Sequence, residues 1–207
     1  MIPNPLMVFA AIIVTVIGTQ ACTPIGVVLG AGAATGLSAY QERGVDGVAR
    51  DLRTSTRILD MFARNDHRLV KDIGIEVYEG RALLTGQVES EAFRADAVRL
   101  AWAADGVTDV INEIHITNEG GMLDTARDVW ISTQLETKLT FDDRILAINY
   151  AIETVGATVY LIGIAQNSDE LARVQNHART IPYVRHIVSH VRVKASAADA
   201  GSAKPGT

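Results

Sequence analysis

The sequence predicts an α+β protein made of two tandem copies of one small unit, each running α-β-β-α-β. Three observations predict it. Displaced by 77 residues, the chain matches itself without gaps, residues 54–117 against 131–194. Each copy opens on apolar residues four apart, the spacing of a helix with one buried stripe. Each copy then shows short stretches of alternating apolar and polar residues, the period of half-buried strands.

The repeat is carried by identities such as Ser55 with Ser132, Ile75 with Ile152, Glu76 with Glu153, Leu84 with Leu161, Gly86 with Gly163 and Ala101 with Ala178. Conservative apolar pairs fill the rest, among them Ile58 with Leu135 and Phe62 with Leu139. Most matches are apolar, so the repeat reports a shared core.

In chain order, residues 44–66 read as the first helix, with Thr54, Ile58 and Phe62 on its inner stripe. Its counterpart carries Ile131, Leu135 and Leu139. Two strands follow, near 72–78 and 81–88 with Gly80 at the turn, and again near 148–155 and 158–165 with Gly156 at the turn. Gly86 and Gly163 are expected where the second strand leaves for a second helix, near 90–104 and 167–181. A last strand alternates in "VTDVINEIHI" and "VRHIVSHVRV". Each unit thus closes a three-stranded sheet with one apolar face, covered by two helices. The two copies are expected to pack together, because each small sheet has limited core of its own.

Charge placement sets the rest of the organisation. Residues 1–41 hold no Asp, Glu, Lys, Arg or His. Within them, Leu6 to Gly18 form an apolar run of 13 residues. That is short for a membrane span, which needs ~20, and suits a signal-peptide core of roughly 7–15. "TQAC" follows, with Ala21 before Cys22, the single cysteine. The order of apolar core, small residue and cysteine is that of a lipoprotein signal, with Cys22 acylated by palmitate-type chains. An uncleaved apolar anchor with an incidental cysteine is the other reading. The expected boundaries are 1–21 for the signal peptide, 22–45 for the lipidated Cys22 and a small-residue tether, and 46–117 for the first copy. Residues 118–122 form a linker, 123–194 the second copy and 195–207 a disordered tail.

Several classes of function are disfavoured. "VVLGAGAATG" has glycines, but no second strand within reach and no Gly-Lys-Ser/Thr, so neither nucleotide nor cofactor binding is expected. A net charge of −5 argues against nucleic acid. One cysteine allows no internal disulfide and no Cys-based zinc site. His186 and His190 lie four apart on a strand without a completing ligand, and are expected to face solvent. Asp142 and Asp143 are adjacent in a loop and suit a turn. No nucleophile elbow or metalloprotease motif occurs, so no catalytic residue and no metal ligand is assigned.

The stretches "YEGRALLTGQV", "GVTDVINEI" and "DVWISTQLETKL" resemble the BON domain (bacterial osmotically-inducible and nodulation). In order, with two copies and the lipoprotein start, they are similar to the dual BON-domain outer-membrane lipoproteins associated with division, envelope stress and phospholipid binding. The resemblance implies a non-enzymatic protein on the periplasmic face of the outer membrane, lipid-anchored, maintaining the envelope. It also implies that the first helix of the second copy contacts anionic phospholipid, with Trp130 as the matching aromatic. An envelope or division-site protein is the second kind of partner it implies.

The residues of that helix support a surface role. Trp130 sits about 100° from the core residue Ile131. It begins an uncharged flank with Thr133, Gln134 and Thr137, and Val129 lies farther round. An aromatic off the core stripe suits a bilayer interface, where its body is apolar and its N–H stays wet. Packing of Trp130 against the other copy is the competing expectation. Arg127, Lys138 and Arg144 could meet an anionic headgroup, but Asp128, Glu136, Asp142 and Asp143 offset them, so weak intrinsic affinity is expected, with the anchor raising local concentration. The phospholipid-binding set is therefore Trp130, Val129, Thr133, Gln134, Thr137, Arg127 and Lys138. The rival function is a protein–protein adaptor for an envelope or secretion complex, using the same surface or strand addition at a sheet edge.

Overall fold

The computed structural model describes residues 42–117 and 122–195. The expected signal segment, Cys22, the glycine-rich stretch, most of the linker and most of the tail lie outside the described residues. Copy one contains helix α1 (Gly44–Asn65), a short helix α2 (His67–Asp72), strands β1 (Ile73–Tyr78) and β2 (Arg81–Val88), helix α3 (Glu91–Trp102) and strand β3 (Asp109–Ile116). Copy two contains α4 (Met122–Thr140), a single 3-10 turn (Ala147–Asn149), β4 (Tyr150–Val155), β5 (Thr158–Ala165), α5 (Ser168–Arg179) and β6 (His186–Val193).

Both sheets have the same mixed topology. β1 runs antiparallel to β2, and β2 runs parallel to β3; β4, β5 and β6 repeat the pattern. The hairpins close through two-residue loops whose residues all have positive φ, Glu79 and Gly80 in one and Gly156 and Ala157 in the other. That is the turn whose twist matches two right-handed strands. A buried aspartate fastens each turn to its helix. Asp51 accepts from the Glu79 and Gly80 N–H groups at 2.8 and 3.0 Å. Asp128 accepts from those of Gly156 and Ala157 at 2.7 and 2.8 Å.

Each sheet buries one face under its helices. Ile58, Phe62, Leu84, Val88 and Ala101 form the first core, and Ile131, Leu135, Val159, Leu161 and Ala178 the second. Gly86 and Gly163 lie inside β2 and β5, not at their exits. A Cβ on Gly163 would sit 2.0 Å from the Asn149 carbonyl oxygen, so the neighbouring backbone requires glycine. A helix α2 in copy one was not expected either. Asp66 caps it by accepting from the Arg68 N–H at 2.9 Å, and only Leu69 is buried in it.

The opposite faces of the two sheets pack on one another. Tyr78, Leu83, Tyr160 and Ile162 form a third cluster between them, with Ile111, Val155 and Val188 at its margin. His115 Nε2 and the Tyr160 hydroxyl share a 2.7 Å hydrogen bond across this seam. His190 Nε2 lies 2.8 Å from Glu113 Oε1, and Arg81 donates to the His190 carbonyl at 2.9 Å. His190 is therefore a seam residue and not the solvent-facing one expected; His186 is exposed. Glu76 and Glu153, at equivalent positions of the repeat, also point into the seam. Burial, joined by the charge of Glu153, pushes Glu76 up to about 8. Burial, joined by Asp128 and Glu136, pushes Glu153 up to about 7. The turn before α1 ties the copies further, since Glu42 donates its N–H to Asn149 Oδ1 and its carboxylate accepts from Lys194.

Candidate functional site

Helix α4 turns Ile131, Leu135 and Leu139 fully inward. The flank that starts at Trp130 faces out. Val129 is 46% exposed and Trp130 41%. Eleven residues on, Phe141 is 85% exposed. Three helical turns separate Trp130 from Phe141, about 16 Å along the axis and about 20° around it. Thr133, Gln134 and Thr137 occupy the space between. The threonine hydroxyls are turned back into the helix: Thr133 donates to the Val129 carbonyl at 2.9 Å and Thr137 to the Thr133 carbonyl at 2.7 Å. With its hydroxyl spent on the backbone, each threonine presents mainly its methyl group. The flank is thus more apolar than its composition.

Trp130 meets an aromatic of its own copy. Its ring lies edge-on to Tyr183, with centroids 6.1 Å apart and planes at 69°. Arg127 lies over the Tyr183 ring, its guanidinium 5.6 Å from the ring centre, and pairs with Asp124 at 2.9 Å. Arg127, Tyr183 and Arg185, together with Ala157 and Val184, line an open groove of about 310 Å³ beside Trp130. Lys138 is exposed and has no ion pair among the described residues.

The electrostatic balance differs from the one expected. Asp128 is 8% exposed and its two oxygens are held by the hairpin N–H groups. It points away from the flank and offsets no surface cation there. Asp142 accepts from the Arg144 N–H at 3.1 Å and lies 2.8 Å from His177 Nε2. The hydrogen bond from His177, with that from Arg144, holds its carboxyl below the usual carboxylate range. Asp142 therefore shapes the turn after α4, as expected. Glu136 and Asp124 remain as surface carboxylates of this helix.

Tyr183, Arg185 and Phe141 were absent from the sequence-based set. The repeat itself held a signal for Tyr183, since its equivalent in copy one is Gly106. An aromatic in place of a turn glycine is a substitution with a conformational cost. Among the described residues, no cluster of three or more His, Cys, Asp or Glu side chains could hold a metal ion. None of their helices is long and apolar enough to cross a membrane.

Fold and surface together define a tandem α-β-β-α-β protein with an uncharged helix flank on its second unit. The BON domain family model matches residues 50–118 and 127–195, and the chain belongs to that family. It is 39% identical over 131 residues to an uncharacterized protein in the gshII 5′ region of Anaplasma centrale, covering 63% of this chain and 87% of that one. It is 27% identical over 162 residues to the outer membrane lipoprotein DolP of Haemophilus influenzae, covering 77% and 82%. Against osmotically-inducible protein Y of Escherichia coli it is 27% identical over 133 residues, covering 62% and 66%.

Proposed function

We propose that this BON-family chain is a non-enzymatic, lipid-anchored protein of the outer membrane, facing the periplasm, that rests the α4 flank on phospholipid. The observation that carries the reading is the uncharged flank with an exposed aromatic at each end, Trp130 and Phe141. Aromatic rings at the ends of a methyl-lined face suit the boundary between headgroups and acyl chains. Acylation of Cys22 would hold the flank near the bilayer, so weak contacts would suffice. The kinship with an outer membrane lipoprotein agrees with this placement.

The test is flotation of the mature chain from residue 22, with Cys22→Ser to remove the anchor, on vesicles of neutral or anionic phospholipid. Wild type floats on anionic vesicles, and Trp130→Glu lowers the bound fraction at least about tenfold, because a carboxylate replaces the ring at an anionic surface. A second readout is Trp130 emission in a Trp102→Phe background, since Trp102 is also exposed; vesicles shift it to the blue. Equal flotation of both chains sinks the assignment to this helix.

One observation favours the adaptor reading. Val45, Leu52 and Leu59 recur every seven residues along α1 and are 43%, 38% and 43% exposed. An apolar stripe of this kind suits a partner protein. Wild-type chain that floats on no vesicle but retains an envelope protein on purification would favour this reading.

A further inference from the structure

We propose that the outer face of α1 is a docking surface for an acidic amphipathic helix of a partner protein, whose apolar side lies on Val45, Leu52 and Leu59 and whose carboxylates meet Arg53 and Arg57; this rests on the adaptor reading and deepens it.

Helix α1 commits one side to the core, with Thr54, Ile58 and Phe62 buried. Val45, Leu52 and Leu59 stand on the other side, seven residues apart and exposed. Thr56 and Ala63 are exposed beside them, and Val48 and Ala49 are half-buried. Ser55 and Thr56 both donate their hydroxyls to the Leu52 carbonyl, at 3.0 and 2.7 Å. Thr56 therefore adds a methyl group to the stripe. Aliphatic residues every seventh position keep one helix in register with a second. No aromatic ring belongs to this stripe, and aromatic rings are what mark a bilayer boundary.

The neighbouring sector of α1, about 80–140° round from Val45, holds Arg50, Arg53, Arg57 and Arg64. All four are exposed. Arg64 pairs with Asp60 at 2.9 Å. Arg57 donates to the uncharged Asp105 carbonyl at 3.2 Å. Arg50 and Arg53 have no ion pair among the described residues. Asp46 is the other carboxylate of this sector, so cations prevail in a chain of net charge −5. The helix contains no lysine. Arginine is enriched at protein interfaces and lysine depleted, and a guanidinium matches a carboxylate with two parallel hydrogen bonds.

Charge selects the occupant. Residues 1–41 carry no charged side chain and leave the arginines unanswered. A second α1 packed antiparallel would set the arginine flank against itself, and one packed parallel would set it against Val48 and Ser55. An acidic helix answers both the stripe and the arginines.

The repeat supplies an internal control. Copy two keeps the inner residues apolar, with Leu135 and Leu139 for Ile58 and Phe62. Outside, Glu136 replaces Leu59, and Trp130, Gln134 and Phe141 replace Arg53, Arg57 and Arg64. The fold thus requires none of the outer side chains of α1. Because the two sheets stack through their helix-free faces, α1 and α4 lie on opposite outer sides of the molecule. A bilayer beneath α4 leaves α1 open to a protein.

The experiment uses the mature chain with Cys22→Ser and two labelled peptides of about three heptads, both with Leu and Val on the apolar stripe. One carries Glu on the flanks and the other Lys. By fluorescence anisotropy, wild type binds the Glu peptide with a Kd of about 10 µM and the Lys peptide at least about tenfold more weakly. Leu52→Ser weakens the Glu peptide about tenfold by removing apolar contact. Arg53→Glu weakens the Glu peptide and tightens the Lys peptide, a reversal that a general loss of structure cannot produce. Trp130→Glu, on the other copy, leaves both within about twofold. Equal binding of the two peptides overturns the role of the arginines. Binding of neither overturns the acidic helix; an envelope protein still retained on purification would then keep the adaptor reading and move it to another face. A dimer in sedimentation that Leu52→Ser dissociates assigns the face to a second copy and overturns the proposal. Flotation lost in Leu52→Ser without peptide binding in wild type assigns it to lipid, with the same result. Peptide binding that appears only after residues 22–41 are deleted assigns the stripe to the chain's own tether, and overturns it too.

Discussion

A single buried carboxylate shows how the molecule concentrates structural demands on few atoms. Asp128 satisfies two turn N–H groups that have no other partner within the hairpin. Replacing it by alanine strands both donors, each worth about 1–3 kcal/mol when buried and unpaired. Asp128→Ala should lower unfolding free energy by about 2–4 kcal/mol in a urea titration, with the slope unchanged. A loss below about 1 kcal/mol would mean that water replaces the carboxylate. The sequence made Trp130 legible because a helical wheel shows which residues leave the core stripe. It could not show that Asp128 turns inward, because its partners lie in a hairpin 28 and 29 residues away.

At the scale of elements, the periodic segments were the readable ones. The first helices, the hairpins and the last strands fall within a few residues of the expected bounds, since each carries a buried stripe or an alternating face. Helix α2 was not readable. Six residues with one buried side chain contain no period. The apolar character of the α4 flank was only partly visible, because threonine counts as polar until its hydroxyl is seen bonded to the helix. That flank predicts its own test. Thr137 lies between Trp130 and Phe141, exposed and outside the core. Thr137→Asp should weaken anionic vesicle binding about tenfold by adding a like charge at the surface, while helix content by circular dichroism stays the same. Unaltered binding would place the contact on another face.

The whole molecule is held by the seam between the sheets, and the seam carries a pH dependence. Glu76 and Glu153 ionise there at about 8 and about 7, above the ordinary 4.5 of a free glutamate. Arg43 favours the charged form of Glu76, while Glu153 and Glu136 oppose it. A raised carboxyl pKa means that the folded chain keeps its proton after the unfolded chain has lost it. The associated stability is complete below pH 4.5, falls as pH rises toward 8, and is lost above that. Each proton involved costs up to ~1.4 kcal/mol per pH unit in this window. Thermal unfolding should therefore give a higher Tm near about pH 5 than near about pH 8.5, and Glu76→Gln should flatten the difference. A Tm that rises over this interval in the wild type would contradict the assignment. Packing of the two copies was foreseen from their small cores, but the polar contents of the seam were not, because alternation marks the outer face of a strand without saying what covers it.

The seam has a consequence for how such a protein could arise. Glu113 and His190 occupy the same position of the repeat and bind each other. If two identical copies of the first unit were joined in this way, carboxylate would face carboxylate; with two of the second, imidazole would face imidazole. The bond exists because the units have diverged. The two halves have thus become complementary rather than interchangeable: each selects the other over itself, and the gene that encodes them in tandem guarantees that they meet in equal number.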